Sequence, residues 1–208
     1  MVAVLGMARR PFDGPSLTSS PHMQRLQTRL DGLVHLAPTV HGDERGFFVE
    51  TFRADTARRY GIPTDFVQDN HSRSRQGTLR GIHFQTHPGQ GKLVRVARGR
   101  VLDVVVDLRR GSPTFGEWEA FALDDEHGAQ LWIPVGFGHA FCVLSDVADF
   151  VYKCTNYYDA ATEAGIRFDD PDVGIEWPQD LELLYSERDR LAPTLAQIAD
   201  ELPFRYAG

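Results

Sequence analysis

The 208 residues, 42% hydrophobic and 25% charged, have the composition of an ordinary globular protein with room for one sizeable core. With 22 basic against 29 acidic side chains the net charge is −7, which argues against nucleic acid as the main partner because counterion release needs a basic footprint. No apolar run approaches the roughly 20 residues of a membrane-spanning helix, and Met1–Met7 lacks a signal-peptide pattern, so no membrane partner and a cytoplasmic location are expected.

Residues 1–22 mix Pro, Gly and Ser without periodicity and read as a flexible extension ahead of a single domain over 23–208. Beyond them, short strand-like segments are separated by turn signals. Leu33–Leu36 alternates, His41–Gly46 reads as a turn, Phe47–Phe52 as a strand, and Asp55–Tyr60 as a short helix capped by Asp55. Gln68-Asp69-Asn70 fits a solvated loop about as well as a group of amide ligands. Thr78–Gln85 alternates apolar and polar residues. A strict period of two puts Arg80 and Ile82 on one face and Leu79, Gly81 and His83 on the other, unless a bulge intervenes.

Arg98-Gly99-Arg100 reads as a tight hairpin between two valine-rich strands. Trp118–Leu123, Gln130–Ile133 and two segments within Ala140–Asn156 continue the strand pattern, with loops at Ser112–Gly116, Asp124–Gly128 and Pro134–Gly138. Pro193–Asp200 is the clearest helical stretch, with Pro193 suited to its first turn. A turn every 8–12 residues or so is the signature of an antiparallel sandwich or barrel. The fold expected is all-β, a jelly roll with a few short peripheral helices.

Several polar residues sit where an apolar scaffold would not place them idly. His83 lies close in sequence to two cations, Arg80 and Lys92, which favour a neutral imidazole able to accept a proton. Tyr152 alternates with Phe150 and so points inward, either as core or as a proton donor facing a base. Glu50, read as part of an apolar strand, needs a partner. Pro134–His139 fits half of a cupin metal motif, but His83 is followed by Phe84-Gln85 rather than by a second His, and His87 lies in a loop. The expectation is no metal site. Cys142 and Cys154 read as buried reduced thiols.

In combination, GDERGFFVE (42–50), QDNHS (68–72), LRGIHFQ (79–85), GKLVR (91–95), VLDVVVDLRRGSPTFG (101–116), LWIPVGFGHAF (131–141), VYKCTNYYD (151–159), GIEWP (174–178) and SERD (186–189) resemble the dTDP-4-dehydrorhamnose 3,5-epimerase family. The resemblance covers roughly residues 23–206. It implies a metal-free cupin jelly roll, a homodimer, no cofactor, and a dTDP-4-keto-6-deoxysugar as substrate. It implies further that His83 is the base, oriented by Asp189, that Tyr152 is the acid, and that Lys92 stabilises an enolate. By the same resemblance Arg45, Glu50, Gln68, Asn70, Arg80, His139 and Glu163 hold sugar, base or diphosphate, with Phe47 and Tyr157 or Tyr158 flanking thymine. Arg188 stands where the family usually has Lys and keeps a phosphate-directed charge, although the two side chains differ in geometry.

The chemistry implied is proton abstraction alpha to a C4 ketone at C3 and C5, with reprotonation on the opposite face. Rival readings are an epimerase acting at C3 or C5 alone, a metal-dependent cupin, and a cupin that binds a nucleotide sugar without turning it over.

Overall fold

The computed structural model describes residues 23–207, so the expected extension over 1–22 lies outside the described residues. Two antiparallel sheets pack face to face. The first runs β1 (Met23–Leu26), β2 (Val34–Pro38), β10 (Gln130–Ile133), β7 (Lys92–Arg98), β12 (Val147–Cys154) and β5 (Gln68–Arg75). The second runs β13 (Glu163–Gly165), β6 (Leu79–Gln85), β11 (Phe137–Val143), β8 (Arg100–Asp107) and β9 (Trp118–Asp124). A separate ribbon pairs β3 (Val40–Asp43) with β4 (Gly46–Val49). The helices are short: α1 (Ala54–Arg59), α2 (Glu187–Arg190) and α3 (Leu195–Ile198). The fold is the all-β jelly roll expected, and no helix among the described residues is long and apolar enough to cross a membrane.

The period of two explains why β8 is an almost unbroken apolar run. Val101 and Val105 enter the core between the sheets, while Val104 and Val106 join a second core on the outer face of the second sheet. β11 divides the same way, with Phe137, Phe141 and Val143 inside and Ala140 and Cys142 outside. The outer core is closed by the C-terminal segment through Ile166, Phe168, Trp177, Leu195, Leu202 and Phe204. Burial of each such side chain contributes about 1.5–3 kcal/mol. A third cluster, with Trp132, Leu93, Leu36 and Ile62, covers the first sheet beside α1. Cys142 and Cys154 are buried and unpaired, and burial pushes both thiols up to about 11.

Several local expectations are corrected. Arg98-Gly99-Arg100 is not a hairpin, because β7 and β8 belong to different sheets and the turn carries the chain from one to the other. Gln68-Asp69-Asn70 opens edge strand β5 rather than a loop. Of the turn expected over 41–46 only Glu44 and Arg45 form it, His41–Asp43 lying in β3 and Gly46 opening β4; β4 ends at Val49, and Phe47 and Phe48 are exposed. Asp55 lies within the first turn of α1, with Arg53 at the cap position. Helix α3 is a single turn whose cap is Thr194, closed reciprocally with Gln197, so Pro193 precedes it.

The decisive correction is in β6. Across the β6–β11 ladder His139 pairs with His83 and Phe141 with Arg80, so two steps on β11 oppose three on β6. This bulge breaks the strict alternation. Ile82 still enters the outer core, while Arg80 and His83 both turn towards the space between the sheets. Gly81 makes the bulge possible: its φ is +128°, and a Cβ there would lie 2.4 Å from Ala140 Cβ. Gly81→Ala should therefore destabilise the protein by roughly 3 kcal/mol, the left-handed penalty plus overpacking. Gly111→Ala, where φ is +84° but nothing lies within 4 Å, should lose only about 1 kcal/mol. Urea unfolding of the two variants measures the difference.

Candidate active site

The bulge opens a cavity of about 450 Å³ between the sheets, lined among others by Arg80, His83, Lys92, His139, Tyr152 and Asp189. An adjoining space of about 270 Å³ shares His83, Lys92 and Tyr152 and adds Gln68, Asn70, Tyr158 and Glu163. The three shared residues stand at the junction of the two lobes. They come from β6, β7 and β12, so both sheets contribute.

His83 Nε2 lies 2.7 Å from Asp189 Oδ1, across 106 residues of chain. The chain is stitched to bring them together. Leu79 N–H donates to Leu184 O and Leu184 N–H to Gly77 O, which lays the segment before α2 along the start of β6. Ser186 then caps α2 by accepting from the Asp189 N–H at 3.1 Å, leaving the Asp189 carboxylate free to meet the imidazole. Burial pushes that carboxyl up, but hydrogen bonds from His83 and from the Gly81 amide outweigh it and hold it below its ordinary value. An ionised Asp189 keeps the proton on Nε2, which leaves Nδ1 as the unprotonated nitrogen.

Burial also shifts the other two groups at the junction. It raises the Tyr152 phenol, which therefore remains a protonated acid at neutral pH, and it lowers the Lys92 ammonium. A second imidazole–carboxylate pair lies deeper: His139 Nε2 to Asp103 Oδ2 at 2.8 Å, directly across the ladder from His83. At the rim, Glu163 Oε2 accepts from the Tyr158 hydroxyl at 2.8 Å and from Arg188 Nη1 at 2.6 Å. A base, an acid and a cation converging on one cavity can remove a proton next to a carbonyl, stabilise the enolate and return a proton.

The family model described as dTDP-4-dehydrorhamnose 3,5-epimerase matches residues 27–197. The chain belongs to this family. A dTDP-4-dehydrorhamnose 3,5-epimerase of Neisseria gonorrhoeae is 49% identical over 184 residues, which is 88% of this chain and 56% of that protein's length. A dTDP-4-dehydro-6-deoxyglucose 3-epimerase of Streptomyces bikiniensis is 44% identical over 169 residues, covering 80% of this chain and 86% of its own. The crystal structure of dTDP-6-deoxy-D-glucose-3,5-epimerase from Legionella pneumophila, in complex with dTDP-4-keto-L-rhamnose, superposes with a TM-score of 0.86 at 48% identity, over 90% of this chain and 100% of that one.

Of the family residues expected from sequence, the fold gathers His83, Asp189, Tyr152, Lys92, Arg80, His139, Arg188, Gln68, Asn70, Tyr158 and Glu163 around the two lobes. It does not gather Arg45, Phe47, Glu50 or Tyr157. Arg45 is paired with Asp43 at the ribbon tip, Phe47 is 62% exposed, and Tyr157 is 71% exposed. Glu50 falls outside β4 and its partner is Arg53 at 3.5 Å, not a buried base. Among the described residues no three His, Cys, Asp or Glu side chains converge on a metal-sized site, and His87 is exposed.

The sequence reading passed over Tyr185 in the lining and Asp103 behind it. Tyr185, packed on Phe168 at 4.6 Å, borders the larger lobe. Asp103 carried a signal, since it is a carboxylate inside the apolar run Val101–Val106, where a buried charge requires a partner.

The Asp189 contact has a consequence for stability. Because its folded value lies below the ordinary 3.8, it stabilises the fold fully above that pH, and the contribution is lost as pH falls through the folded value. Urea unfolding followed from about pH 6 down to about pH 3 should show a shallower acid slope in Asp189→Asn than in the parent.

Proposed function

We propose that the chain epimerises a dTDP-4-keto-6-deoxyhexose at C3 and C5, as a dTDP-4-dehydrorhamnose 3,5-epimerase. The observation that carries this reading is the His83–Asp189 pair meeting Tyr152 and Lys92 at one junction. The C4 ketone acidifies the hydrogens at C3 and C5. His83 Nδ1 takes one as a proton, and the C–H electron pair moves into the enolate, whose oxygen is met by Lys92. Tyr152 then returns a proton to the other face. Each well-placed donor to the enolate oxygen lowers the barrier by about 3–4 kcal/mol, and general-base catalysis adds roughly 10²–10⁴-fold.

No electrons leave the substrate in this sequence, so the reaction balances without a redox cofactor. Arg80 and Arg188 supply cations for the diphosphate, and Gln68, Asn70 and Tyr158 line the lobe suited to the nucleoside. Binding energy from that remote part positions the sugar over His83.

The four displaced residues support a homodimer. Arg45, Phe47 and Glu50 sit on or beside a ribbon that does not line its own chain's cavity, and exposed Phe47 and Phe48 make that ribbon a poor free surface. If these side chains hold substrate, they reach it from a second copy. Neither Arg45→Ala nor His83→Asn alone should turn over, yet mixing the two after subunit exchange should restore activity by forming sites with both residues intact. Mixed subunits that stay inactive, or a monomer in sedimentation, would reject the shared site.

Solvent exchange tests the chemistry itself. In D₂O with dTDP-4-keto-6-deoxyglucose, proton NMR should show loss of both C3–H and C5–H. Loss at one carbon would assign a single-site epimerase, the activity named for the Streptomyces bikiniensis relative. Absence of exchange despite binding would leave a binding protein. His83→Asn should lower exchange by about 10²–10⁴-fold. Tyr152→Phe should still exchange through His83 while forming at least about 10²-fold less epimerised product.

A further inference from the structure

Asp103 is fully buried on the inward face of β8, with Phe121 and Phe141 as its cross-strand partners. One of its oxygens holds His139 Nε2 at 2.8 Å. The other, Oδ1, is buried without a hydrogen-bond partner among the described residues. A half-satisfied carboxylate is an expensive thing to keep in an apolar barrel, and a valine would continue the pattern of Val101 and Val105. Asp103 is not among the residues lining either lobe, whereas His139 and Lys92 both are.

We propose that Asp103 is a positioning residue for the reaction, acting through His139 by a hydrogen bond and through Lys92 by charge. This rests on the reading of Lys92 as the cation that meets the enolate.

The surroundings of Lys92 leave few other candidates for that task. Lys92 enters from β7 and forms no hydrogen bond or ion pair with the described side chains. The groups facing it are Tyr152 and Cys154 from β12, Glu163 from β13, Asp103 from β8, and the imidazoles of His83 and His139 from β6 and β11. Cys154 is a protonated thiol at neutral pH, its value pushed to about 11 by burial. Glu163 is already shared between Tyr158 and Arg188. Asp189 is committed to His83. Of these carboxylates Asp103 is the one that is fully buried with an oxygen lacking a hydrogen-bond partner among the described residues.

Burial drives Asp103 up and Lys92 down, each towards its neutral form; His139 and then Lys92 pull Asp103 back, and Glu163 and then Asp103 pull Lys92 back. The Asp103 and Lys92 charges therefore support one another. Together they sustain the ammonium that the enolate needs and fix the tautomer of His139, with Nε2–H committed to Asp103 and Nδ1 left as the ring's acceptor nitrogen.

The test is Asp103→Asn, which keeps the volume and an acceptor for His139 but removes the charge. The Lys92 side-chain amine, followed by ¹⁵N NMR in the full-length substrate-free protein, should titrate at least about one pH unit lower than in the parent. Because protonated Lys92 is the active form, the basic limb of the kcat–pH profile should move to lower pH by the same amount. At neutral pH kcat should fall about tenfold or more while KM stays within about twofold.

An unmoved Lys92 titration and basic limb in a folded variant would overturn the proposal, as would a rise in KM with kcat unchanged. Should the Asn variant not fold, Asp103→Ser, with room for water against His139, gives the same two readings. The substrate-free titration stands apart from the D₂O exchange, so failure of the epimerase reading and failure of the Asp103 role are separately visible.

Discussion

The His83–Asp189 hydrogen bond is the constraint to which the rest of this structure answers. It joins an inner strand of the second sheet to a one-turn helix near the C-terminus, and neither side can move without losing the 2.7 Å contact. On one side the β6 bulge rotates His83 inward, and Gly81 is the residue whose backbone permits it. On the other, Ser186 caps α2 and the Thr78–Leu184 bridge ties the approach to it. The C-terminal segment that closes the outer core is therefore also the arm that delivers the orienting carboxylate. Packing and chemistry are carried by the same residues, so damage to the outer core should reach the dyad.

Placing a base, an acid and an ammonium inside an apolar barrel costs solvation, and the barrel offsets it unevenly. Asp189 receives three kinds of donor, from an imidazole, a backbone amide and its own cap, and remains ionised. Asp103 receives one and is pushed the other way. Two carboxylates, each paired to a histidine that lines the same cavity, are thus given different acidities by their surroundings alone. The rim pairs are of another kind: in Arg188–Glu163 the guanidinium faces solvent, and such a pair is worth at most about 1 kcal/mol. Its value lies in holding the lobe's edge and leaving a cation within reach of a ligand.

Much of the fold was legible because period-two alternation is local. Val101–Val106 read as a strand apolar enough to be core, and it is buried on both faces, whereas the loop read over Pro134–Gly138 gives way at Phe137, where β11 begins. What sequence could not convey was which strands pair. Gly99 looks like a hairpin, yet a jelly roll uses such turns to cross between sheets, and turn chemistry is the same in both cases. The bulge was invisible for a similar reason, since one extra residue on β6 leaves no compositional trace beyond Gly81. The site was legible in its parts but not in its assembly. His83 and Lys92 are neighbours in sequence, whereas Asp189 was paired with His83 only through the family resemblance. Glu50 misled because a strand was read through it, and the strand ends at Val49. The ribbon residues could not be placed from one chain at all, because their own cavity is not where the fold puts them.

The cavity's charge runs against that of the whole molecule. The chain carries −7, yet Arg80, Lys92 and Arg188 all face the larger lobe. A distant anion is repelled, and only one small and flexible enough to enter the cleft meets the cations, whose field is strengthened by the apolar walls that exclude water. This favours a diphosphate joined to a compact sugar over polyanions such as nucleic acid, whose charges would meet the acidic exterior first. It also explains why Lys92 is recessed rather than exposed. An ammonium at the rim would be screened by salt, whereas in the proposed reaction one at the junction of the lobes would meet the oxygen on which charge develops. An interaction that appears with that charge lowers the barrier without tightening the ground state. The buried position of Lys92, costly in the resting protein, is what makes that difference available.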